Sequence, residues 1–336
     1  MKKKIRIIYT GGTIGMVKTY NGYAPRSGYL EPQLDTISDL HDVDMPLWDL
    51  VEFDPLLDSS NVAYNEWNKI GRVIADNYGD YDGFVVLHGT DTMAYCASAL
   101  SFMLDGLRKP VVFTGSQIPL CELRSDGREN LITSMLIAAD GTANEVCLYF
   151  GHTLLRGNRA TKSSADNLIA FTSPNYPPLA SAGVSINYNR SSLFEIPDQP
   201  LKLTEIRHHS IGVIKMFPGI QFGLFEPILT NDLDALILET FGAGNIPSHD
   251  SELPVIIKRA LSSGAAVLVR SQCPQGSVRL GIYEAGSSLA KAGAISGYDI
   301  STEAAIGKLY YLFSRGIRGE KLKYLMEKPL RGELSI

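Results

Sequence analysis

Two stretches of the chain decide its fold: Tyr9-Thr10-Gly11-Gly12-Thr13-Ile14-Gly15 and Leu87-His88-Gly89-Thr90-Asp91-Thr92. Each follows a short apolar run, and each carries glycine where a backbone turns sharply or approaches a ligand. The hydroxyls of Thr13 and Thr90 are therefore candidates to meet in one pocket at the ends of two strands. Two threonines without the usual Ser-His-Asp set suggest hydroxyl nucleophile chemistry.

The composition is that of a globular protein with room for two domains. The chain has 336 residues, of which 45% are hydrophobic and 20% are charged, and this excludes a disordered chain. The formal net charge is -5, so the chain offers no basic surface to nucleic acid or to an anionic membrane. We therefore expect neither class of partner.

The cysteines and the apolar runs predict a cytoplasmic protein. No two of the four cysteines have metal-ligand spacing, and four in a chain of this length do not form a disulfide scaffold. No apolar run at the start reaches the roughly 7 to 15 residues of a signal peptide. No run elsewhere approaches the roughly 20 residues of a membrane span.

The first half of the chain alternates between short apolar runs and helical patterns. Strands are predicted at 5–9, 84–87, 111–113 and 146–150, and helices at 93–104 and 126–140. This alternation indicates parallel βαβ units, whose ligands bind at the carboxyl ends of the strands. Both opening stretches lie at such ends.

The stretch 188–210 changes character, with prolines and the adjacent His208 and His209, and we interpret it as an interdomain linker or an ordered strap. After it, strands are predicted at 211–216, 235–238 and 266–269, and helices at 251–261, 303–314 and 321–327. The fold class is therefore α/β with two domains. The larger, N-terminal one (1–187) is predicted to carry a doubly wound, mostly parallel sheet, and the smaller, C-terminal one (211–336) a second α/β set.

Several polar segments admit both a functional and a structural interpretation. The long glycine-bearing connection from Thr13 to Pro25 is typical of a lid, but also of a plain strand end or a phosphate-cradling turn. Residues 90–92 suit an anion site at a helix N-terminus, and they equally suit a helix cap. The same alternatives hold for residues 58–61, which precede a helix predicted to begin near Tyr64.

Lys162 is the candidate base. It is flanked by Thr161, Ser163 and Ser164, and if burial destabilises its ammonium form it can accept a proton from a neighbouring hydroxyl. The alternative is a solvated surface lysine. The six histidines have no metal-ligand spacing, so we expect no catalytic metal. His88 is expected to pack near the site rather than act as a base.

Taken in order, these motifs resemble the bacterial-type L-asparaginase family, most closely its cytoplasmic type I branch. The matching pieces are Tyr9-Thr-Gly-Gly-Thr-Ile-Gly-Met16, Asp58-Ser-Ser60, Asp82-Gly-Phe-Val-Val-Leu-His-Gly-Thr-Asp-Thr-Met-Ala-Tyr95, Thr114-Gly-Ser-Gln-Ile-Pro119, Leu123-Arg-Ser-Asp126, Arg156-Gly-Asn-Arg159 with Lys162, and Leu330-Arg-Gly-Glu-Leu334. They span nearly the whole chain.

The resemblance implies hydrolysis of L-asparagine to L-aspartate and ammonia without a cofactor, with weaker activity on L-glutamine. It implies that Thr13 is the nucleophile that forms the acyl-enzyme, and that Tyr23 on the same loop assists it. Thr90, Asp91 and Lys162 would form a second hydroxyl, carboxylate and amine set on the rigid side of the pocket.

Substrate binding is assigned by the same resemblance. The residues it implies are Asp58, Ser59, Ser60, Gly89, Thr90 and Asp91. Ser59 would hold the α-carboxylate of the amino acid and Asp91 its α-ammonium group, while the backbone N–H of Thr90 is a plausible oxyanion donor. A zwitterionic substrate needs both an anion site and a carboxylate, and these segments supply both.

The resemblance also implies assembly as a dimer of dimers, with the active site completed near a subunit interface. Some type I enzymes carry a second, regulatory asparagine site, and the matching cysteine is Cys273. However, Glu239 and Thr240 stand where a regulated enzyme has Arg-Ser. An acid in place of an anion-binding arginine reverses the local charge preference, which argues against allosteric control by asparagine.

Three other functions fit parts of the pattern. An amidase subunit of a tRNA-dependent amidotransferase would supply ammonia to a partner, but it usually has an extra N-terminal domain, and the first motif here begins at Tyr9. A non-catalytic amino-acid sensor would bind asparagine without turnover. A nucleotide-binding module is disfavoured because Gly-Gly-Thr-Ile-Gly lacks the Gly-Lys-Ser/Thr ending of a P-loop.

Overall fold

The computed structural model describes residues 2–195, 198–228, 232–247, 252–281 and 289–336. The chain divides into two units, Met1–Ile206 and Arg207–Ile336. None of the described helices is long and apolar enough to cross a membrane.

The larger unit is built on one eight-stranded sheet. The strands of this unit are β1 (Lys4–Gly11), β2 (Met16–Thr19), β3 (Gly22–Pro25), β4 (Leu47–Leu57), β5 (Gly83–Leu87), β6 (Leu104–Asp105), β7 (Val111–Thr114), β8 (Val146–Phe150), β9 (Thr153–Arg156), β10 (Thr161–Lys162), β11 (Phe171–Thr172), β12 (Ala180–Ala182), β13 (Ile186–Tyr188) and β14 (Lys202–Leu203). Its helices are α1 (Leu30–Asp35), α2 (Tyr64–Asp76), α3 (Met93–Met103) and α4 (Gly127–Asp140). The sheet order is β13-β12-β9-β8-β7-β5-β1-β4.

Most of this sheet is parallel. Strands β4, β1, β5, β7 and β8 run in one direction, and β9, β12 and β13 extend the sheet by antiparallel pairing. Every residue of β5, β7 and β8 is buried, as expected where both faces of a parallel sheet are covered. The α/β class and the mostly parallel sheet predicted from the apolar runs are confirmed.

The order of the strands creates one switch point beside β1. The neighbours of β1 are β4 on one side and β5 on the other, so the chain crosses β1 between them. In open α/β sheets ligands bind where the strand order reverses, at the carboxyl ends. Thr13 follows β1 and Thr90 follows β5, so both candidate threonines lie at this crevice.

The connection after Thr13 is more regular than the sequence predicts. Residues 16–25 form a hairpin in which β2 pairs with β3, not an irregular loop. In the stretch 188–210 the contacts favour the ordered strap over a plain linker, because β14 pairs with β6 and Glu205 accepts a hydrogen bond from Arg72 Nε at 2.5 Å. Residues 196–197 of that stretch lie outside the described residues.

The smaller unit carries a parallel sheet in the order β15 (Ile211–Lys215), β16 (Ala235–Thr240), β17 (Ala266–Ser271) and β18 (Ile295–Ser296). Its helices include α5 (Glu252–Ser262), α6 (Thr302–Ser314) and α7 (Gly319–Met326). The predicted start of α5 at Ser251 lies outside the described residues. The second α/β set predicted for this part of the chain is confirmed.

Candidate active site

Four polar loops lie side by side at the carboxyl edge of the large sheet. They follow β4, β1, β5 and β7, which are consecutive neighbours in the sheet. Residues 58–60, 10–13, 88–92 and 115–117 make up these loops. The first link between them is direct, because Thr10 Oγ1 donates a hydrogen bond to the Leu87 carbonyl at 2.9 Å. Parallel strands thus bring together segments that are far apart in the chain.

Two glycines allow three of these loops to touch. Gly12 has a φ of 92°, and a Cβ there would lie 2.4 Å from the Gly89 nitrogen. A Cβ on Gly89 would lie 2.4 Å from Ser59 Oγ. Any side chain at either position would separate the loops. The glycines therefore bring the Thr13 loop, the Thr90 loop and Ser59 into one site.

The segment around Ser59 is held by its neighbours rather than capping a long helix. Thr92 Oγ1 donates to the Ser59 carbonyl at 2.7 Å and makes no cap bond to α3. Helix α2 begins after Ala63, whereas the Asp58 carboxylate accepts from Ser60 N–H at 3.0 Å and caps the short turn Ser59–Asn61. Thr92 therefore occupies the N-cap position of α3 without a side-chain cap bond, whereas the interpretation of residues 58–61 as the cap of α2 is wrong.

Lys162 joins Thr90 to Asp91. Its Nζ donates to Thr90 Oγ1 at 2.9 Å and to Asp91 Oδ1 at 2.7 Å. Thr90 is buried, whereas the Asp91 side chain is 62% exposed. The Lys162 side chain is 21% exposed, so its interpretation as a solvated surface lysine is wrong. The three residues form a hydroxyl, amine and carboxylate relay that is open to solvent at the carboxylate.

Gln117 also contacts Thr90, which sequence reasoning did not anticipate. Thr90 Oγ1 donates to Gln117 Oε1 at 3.3 Å. Gln117 Nε2 donates to the carbonyls of Ala165 and Asn167 at 3.1 and 3.2 Å, and its backbone N–H donates to the Asp126 carboxylate. The sequence signals are that Gln117 follows the carboxyl end of a buried strand and that it lies in the matching piece Thr114–Pro119.

A second overlooked group is the hydroxyl of Ser116. Ser116 is 1% exposed, and its Oγ has no hydrogen-bond partner among the described residues. A buried hydroxyl without a partner costs free energy, so this one is a candidate contact for a bound molecule.

Among the described residues, no hydrogen bond joins Thr13 or Tyr23 to the Lys162 relay. Thr13 is partly buried at the start of a short 3-10 turn, and within the described residues its hydroxyl makes no hydrogen bond. Tyr23 is 46% exposed on β3, and a hydrogen bond to Glu122 raises the pKa of Tyr23. The structure therefore does not link Tyr23 by a hydrogen bond to any other predicted site residue.

His88 is buried next to the site and holds its backbone. Nδ1 lies 2.8 Å from the Gly89 carbonyl and Nε2 lies 3.1 Å from Cys96 Sγ. Burial lowers the pKa of His88 to about 4, so the ring is neutral, with Nδ1–H donating to Gly89 and Nε2 accepting from the thiol. Both ring nitrogens are engaged, and the ring packs near the site as expected.

The residues matched to an effector site lie at the carboxyl edge of the small sheet. Glu239 Oε1 accepts from Arg270 Nη1 at 2.7 Å and from Thr302 Oγ1 at 2.6 Å. Thr240 Oγ1 donates to the Arg270 carbonyl, and Cys273 is exposed. The carboxylate of Glu239 is thus neutralised by a neighbouring arginine. Within the part of the chain that the structure describes, no cluster of three His, Cys, Asp or Glu could hold a metal ion.

Comparison with known proteins covers the whole chain. The family model described as Asparaginase, N-terminal matches residues 4–194, and the Glutaminase/Asparaginase C-terminal domain matches residues 210–326. L-asparaginase 1 of Escherichia coli K12 is 45% identical over 334 residues, which are 99% of this chain and 98% of that protein.

Solved structures agree with these matches. L-asparaginase I from Vibrio cholerae is 47% identical, superimposes with a TM-score of 0.93 and covers 100% of both chains. The thermostable L-asparaginase from Thermococcus kodakarensis is 30% identical, with a TM-score of 0.90 and 99% of each chain covered. The family models span both units and the relatives span the full length, so this chain belongs to the asparaginase family.

Proposed function

We propose that this chain is an L-asparaginase that hydrolyses L-asparagine to L-aspartate and ammonia through a threonine nucleophile and an acyl-enzyme. The observation that carries the proposal is the bridge from Lys162 to Thr90 and Asp91, beside the glycine-rich loop that bears Thr13. Such a relay next to a second hydroxyl is the arrangement that covalent hydrolysis requires.

The substrate is a zwitterion, and the site offers a group for each of its charges. Asp91 accepts from Lys162 through Oδ1, and its Oδ2 has no partner among the described residues, so it can accept the α-ammonium group. The α-carboxylate is assigned to Ser59, with Asp58 and Ser60 shaping the turn around it. Gly89 lets the backbone come this close. The unpaired hydroxyl of Ser116 remains as a further contact for the bound molecule.

Thr13 attacks the side-chain amide carbon in the first step. Its hydroxyl proton leaves with the amide nitrogen as ammonia, and an aspartyl ester of Thr13 remains. The backbone N–H of Thr90 stabilises the oxyanion. Tyr23 assists after its hydroxyl leaves Glu122 and the hairpin closes over the substrate.

Water completes the reaction. Lys162 in its neutral form takes a proton from Thr90, and Thr90 takes one from the attacking water. The ester bond breaks, aspartate leaves, and the proton that Lys162 took passes back through Thr90 to the Thr13 oxygen. No metal or cofactor enters either step. Weaker hydrolysis of L-glutamine is also proposed, because one extra methylene changes the fit by only about 1 to 3 kcal/mol.

The proposal extends to the assembly. We propose a cytoplasmic dimer of dimers, in line with the type I branch that the motifs resemble. The competing functions are a non-catalytic amino-acid sensor and an amidase subunit that depends on a partner.

The test is ammonia release from the purified protein, with L-asparagine and L-glutamine in parallel and no metal or nucleotide added. Thr13→Ala should lower release from asparagine at least about 10³-fold. Thr19→Ala is the matched control, because Thr19 lies on the same hairpin and its hydroxyl bonds, among the described residues, only to Gly22 and Asn21. It should retain activity. No release by a folded wild-type protein would favour the sensor or the partner-dependent subunit.

A further inference from the structure

We propose that Gln117 is a positioning residue that sets the direction of the Thr90 hydroxyl proton and so stabilises the protonated, resting form of the Thr90–Lys162 pair. This inference rests on the proposed function for its meaning in catalysis. Its geometry concerns one amide, one hydroxyl and one amine.

The orientation of the Gln117 amide is fixed by its nitrogen. Nε2 carries two hydrogens, and they are donated to the carbonyls of Ala165 and Asn167 at 3.1 and 3.2 Å. If the amide were flipped, its oxygen would face the two carbonyls, and no hydrogen bond could form there because both sides only accept. Oε1 is therefore the atom that faces Thr90, at 3.3 Å.

The direction of the Thr90 proton follows. Lys162 Nζ lies 2.9 Å from Thr90 Oγ1 and 2.7 Å from the Asp91 carboxylate. An ammonium group only donates, so while Lys162 is charged the Thr90 proton cannot point to it. Gln117 Oε1 is the acceptor that remains. In the resting state Thr90 accepts from Lys162 and donates to Gln117.

Activation reverses this direction. When Lys162 loses a proton, its lone pair can accept from Thr90, and the hydroxyl proton must turn away from Gln117. The amide oxygen competes with the lysine lone pair, so it favours the resting form. The Thr13 hydroxyl meets no such competition, since it has no hydrogen bond within the described residues. This agrees with the proposed function, in which Thr13 makes the first attack and Thr90 takes part in the proton transfer that Lys162 controls.

The charged and titratable groups around the pair are few in the described part of the chain. Asp91 is bound to Lys162. Asp126 is bound to the backbone of Gln117, and Asp166 to Ser164. His88 is neutral and donates to the Gly89 carbonyl. Gln117 itself is uncharged, so exchanging it for a carboxylate adds a charge beside Lys162 without removing another.

Two substitutions at this position test the proposal, because they change the acceptor in opposite ways. Gln117→Met removes the acceptor of the Thr90 proton. The loss matters only when Lys162 is charged, because neutral Lys162 can accept that proton itself, so the substitution disfavours the charged form. In a plot of kcat against pH, the acid limb should therefore move to lower pH by about half a unit. Gln117→Glu keeps an acceptor and adds a negative charge, so the limb should move about one unit higher. KM for asparagine should change less than about twofold in both variants, because Gln117 contacts no residue assigned to the substrate's charges.

A merely structural role gives a different result. Both variants lose the two Nε2 bonds to the 163–170 loop. If only the loosening of that loop mattered, the acid limb would shift in the same direction in both variants. Ser164→Ala is the matched control, because Ser164 Oγ accepts from the backbone N–H groups of Asp166 and Asn167 and does not contact Thr90. It should leave the acid limb in place. Shifts of the same sign in both Gln117 variants, or no shift, would overturn the proposal.

A second readout does not depend on turnover. NMR titration of the Lys162 side chain in lysine-labelled protein, with the signal assigned through Lys162→Met, should show its midpoint moving down in Gln117→Met and up in Gln117→Glu. Absence of ammonia release with these opposite shifts would overturn the proposed function alone. Ammonia release without opposite shifts would overturn the role of Gln117 alone.

Discussion

Each unit of this protein contains a hydroxyl, a nitrogen base and a carboxylate joined by hydrogen bonds. In the larger unit the set is Thr90, Lys162 and Asp91. In the smaller unit His209 Nδ1 lies 3.1 Å from Asp234 Oδ2, and its Nε2 lies 3.3 Å from Ser314 Oγ. By connectivity alone, the second set looks more like the Ser-His-Asp triad of hydrolases.

The two sets lie at opposite edges of their sheets. Thr90 follows β5, at the carboxyl edge of the large sheet. Asp234 immediately precedes β16, and Ser210 immediately precedes β15, at the amino edge of the small sheet. Ligands of parallel sheets bind at the carboxyl edge. The position of the His209 set is therefore that of a structural contact.

The sets also differ in how many of their hydrogen-bonding atoms lack a partner within the protein. Asp234 accepts from His209, from Ser210 N–H and from Arg318 Nη2, and Ser314 Oγ accepts from Arg207 N–H. The His209 ring packs on the rings of Tyr310 and Phe313. In the other set, Asp91 is mostly exposed and keeps one oxygen without a partner in the described chain. A relay becomes a candidate active site when part of it remains available to a substrate.

The largest expected effect comes from breaking the two sets in turn. Lys162→Met should lower kcat at least about 10²-fold, because it removes the group that takes the Thr90 proton. Ser314→Ala should keep ammonia release within about twofold of wild type. The measurement is steady-state ammonia release with circular dichroism to confirm folding. Loss of activity in a folded Ser314→Ala variant would show that the position in the sheet is a poor guide to function here.

The order of effects should reverse when stability is measured. His209→Gln should lower the free energy of unfolding by about 1 to 3 kcal/mol, because it weakens the bonds to two partly buried polar partners, Asp234 and Ser314. Lys162→Met should change it by less than about 1 kcal/mol, since the ion pair it removes is partly exposed. Urea unfolding of both variants against wild type provides the comparison. Equal losses in the two variants would contradict it.

The stability contributed by the His209 set should depend on pH in a predictable direction. Burial lowers the pKa of His209, while Asp234 opposes the shift. The folded state therefore favours the neutral ring, and this stabilisation is complete above the ordinary pKa of about 6.5. It is lost as the pH falls below that value towards the lower folded pKa. Wild type should lose more stability than His209→Gln between pH 7 and pH 5.5; equal losses would count against this cause.

The parts of the fold that local chemistry controls are predictable from the sequence. Buried parallel strands need continuous apolar runs, and the close approach of the loops needs glycine at positions 12 and 89, so both could be anticipated. The partners of Thr90 could not be anticipated from local patterns, since Lys162 is 72 positions away and Gln117 is 27. The sequence marks Lys162 as a candidate base, but its pairing with Thr90 is implied only by the resemblance, and Gln117 is assigned no role.

The helix caps show the converse. Thr92 and Asp58 have the side chains that cap helices, and they stand just before helical segments. Thr92 instead bonds to the Ser59 carbonyl of the neighbouring loop, and Asp58 caps only a short turn. A capping preference of about 1 kcal/mol is easily replaced by an equivalent bond across the site. A tertiary contact decided the case of Thr92, and a short local turn decided that of Asp58.

The smallest expected effect concerns the carboxyl edge of the small sheet, where a ligand would be expected by position. The polar groups there are bound to each other, because Arg270 Nη1 donates to both Glu239 Oε1 and Thr302 Oγ1. Its Nε donates to the Ile300 carbonyl. An arginine engaged in this way offers no net charge to the carboxylate of an amino acid.

We therefore expect the rate of ammonia release to depend hyperbolically on asparagine concentration, with a Hill coefficient near 1. The measurement spans concentrations from well below to well above KM, at two protein concentrations, so that dissociation of the assembly is not mistaken for cooperativity. A sigmoidal curve that is the same at both protein concentrations, and that becomes hyperbolic in Arg270→Met, would mean that Arg270 binds an effector despite its partners. The presence of polar atoms without a partner in the protein would then be a weaker criterion for a binding site than position in the sheet.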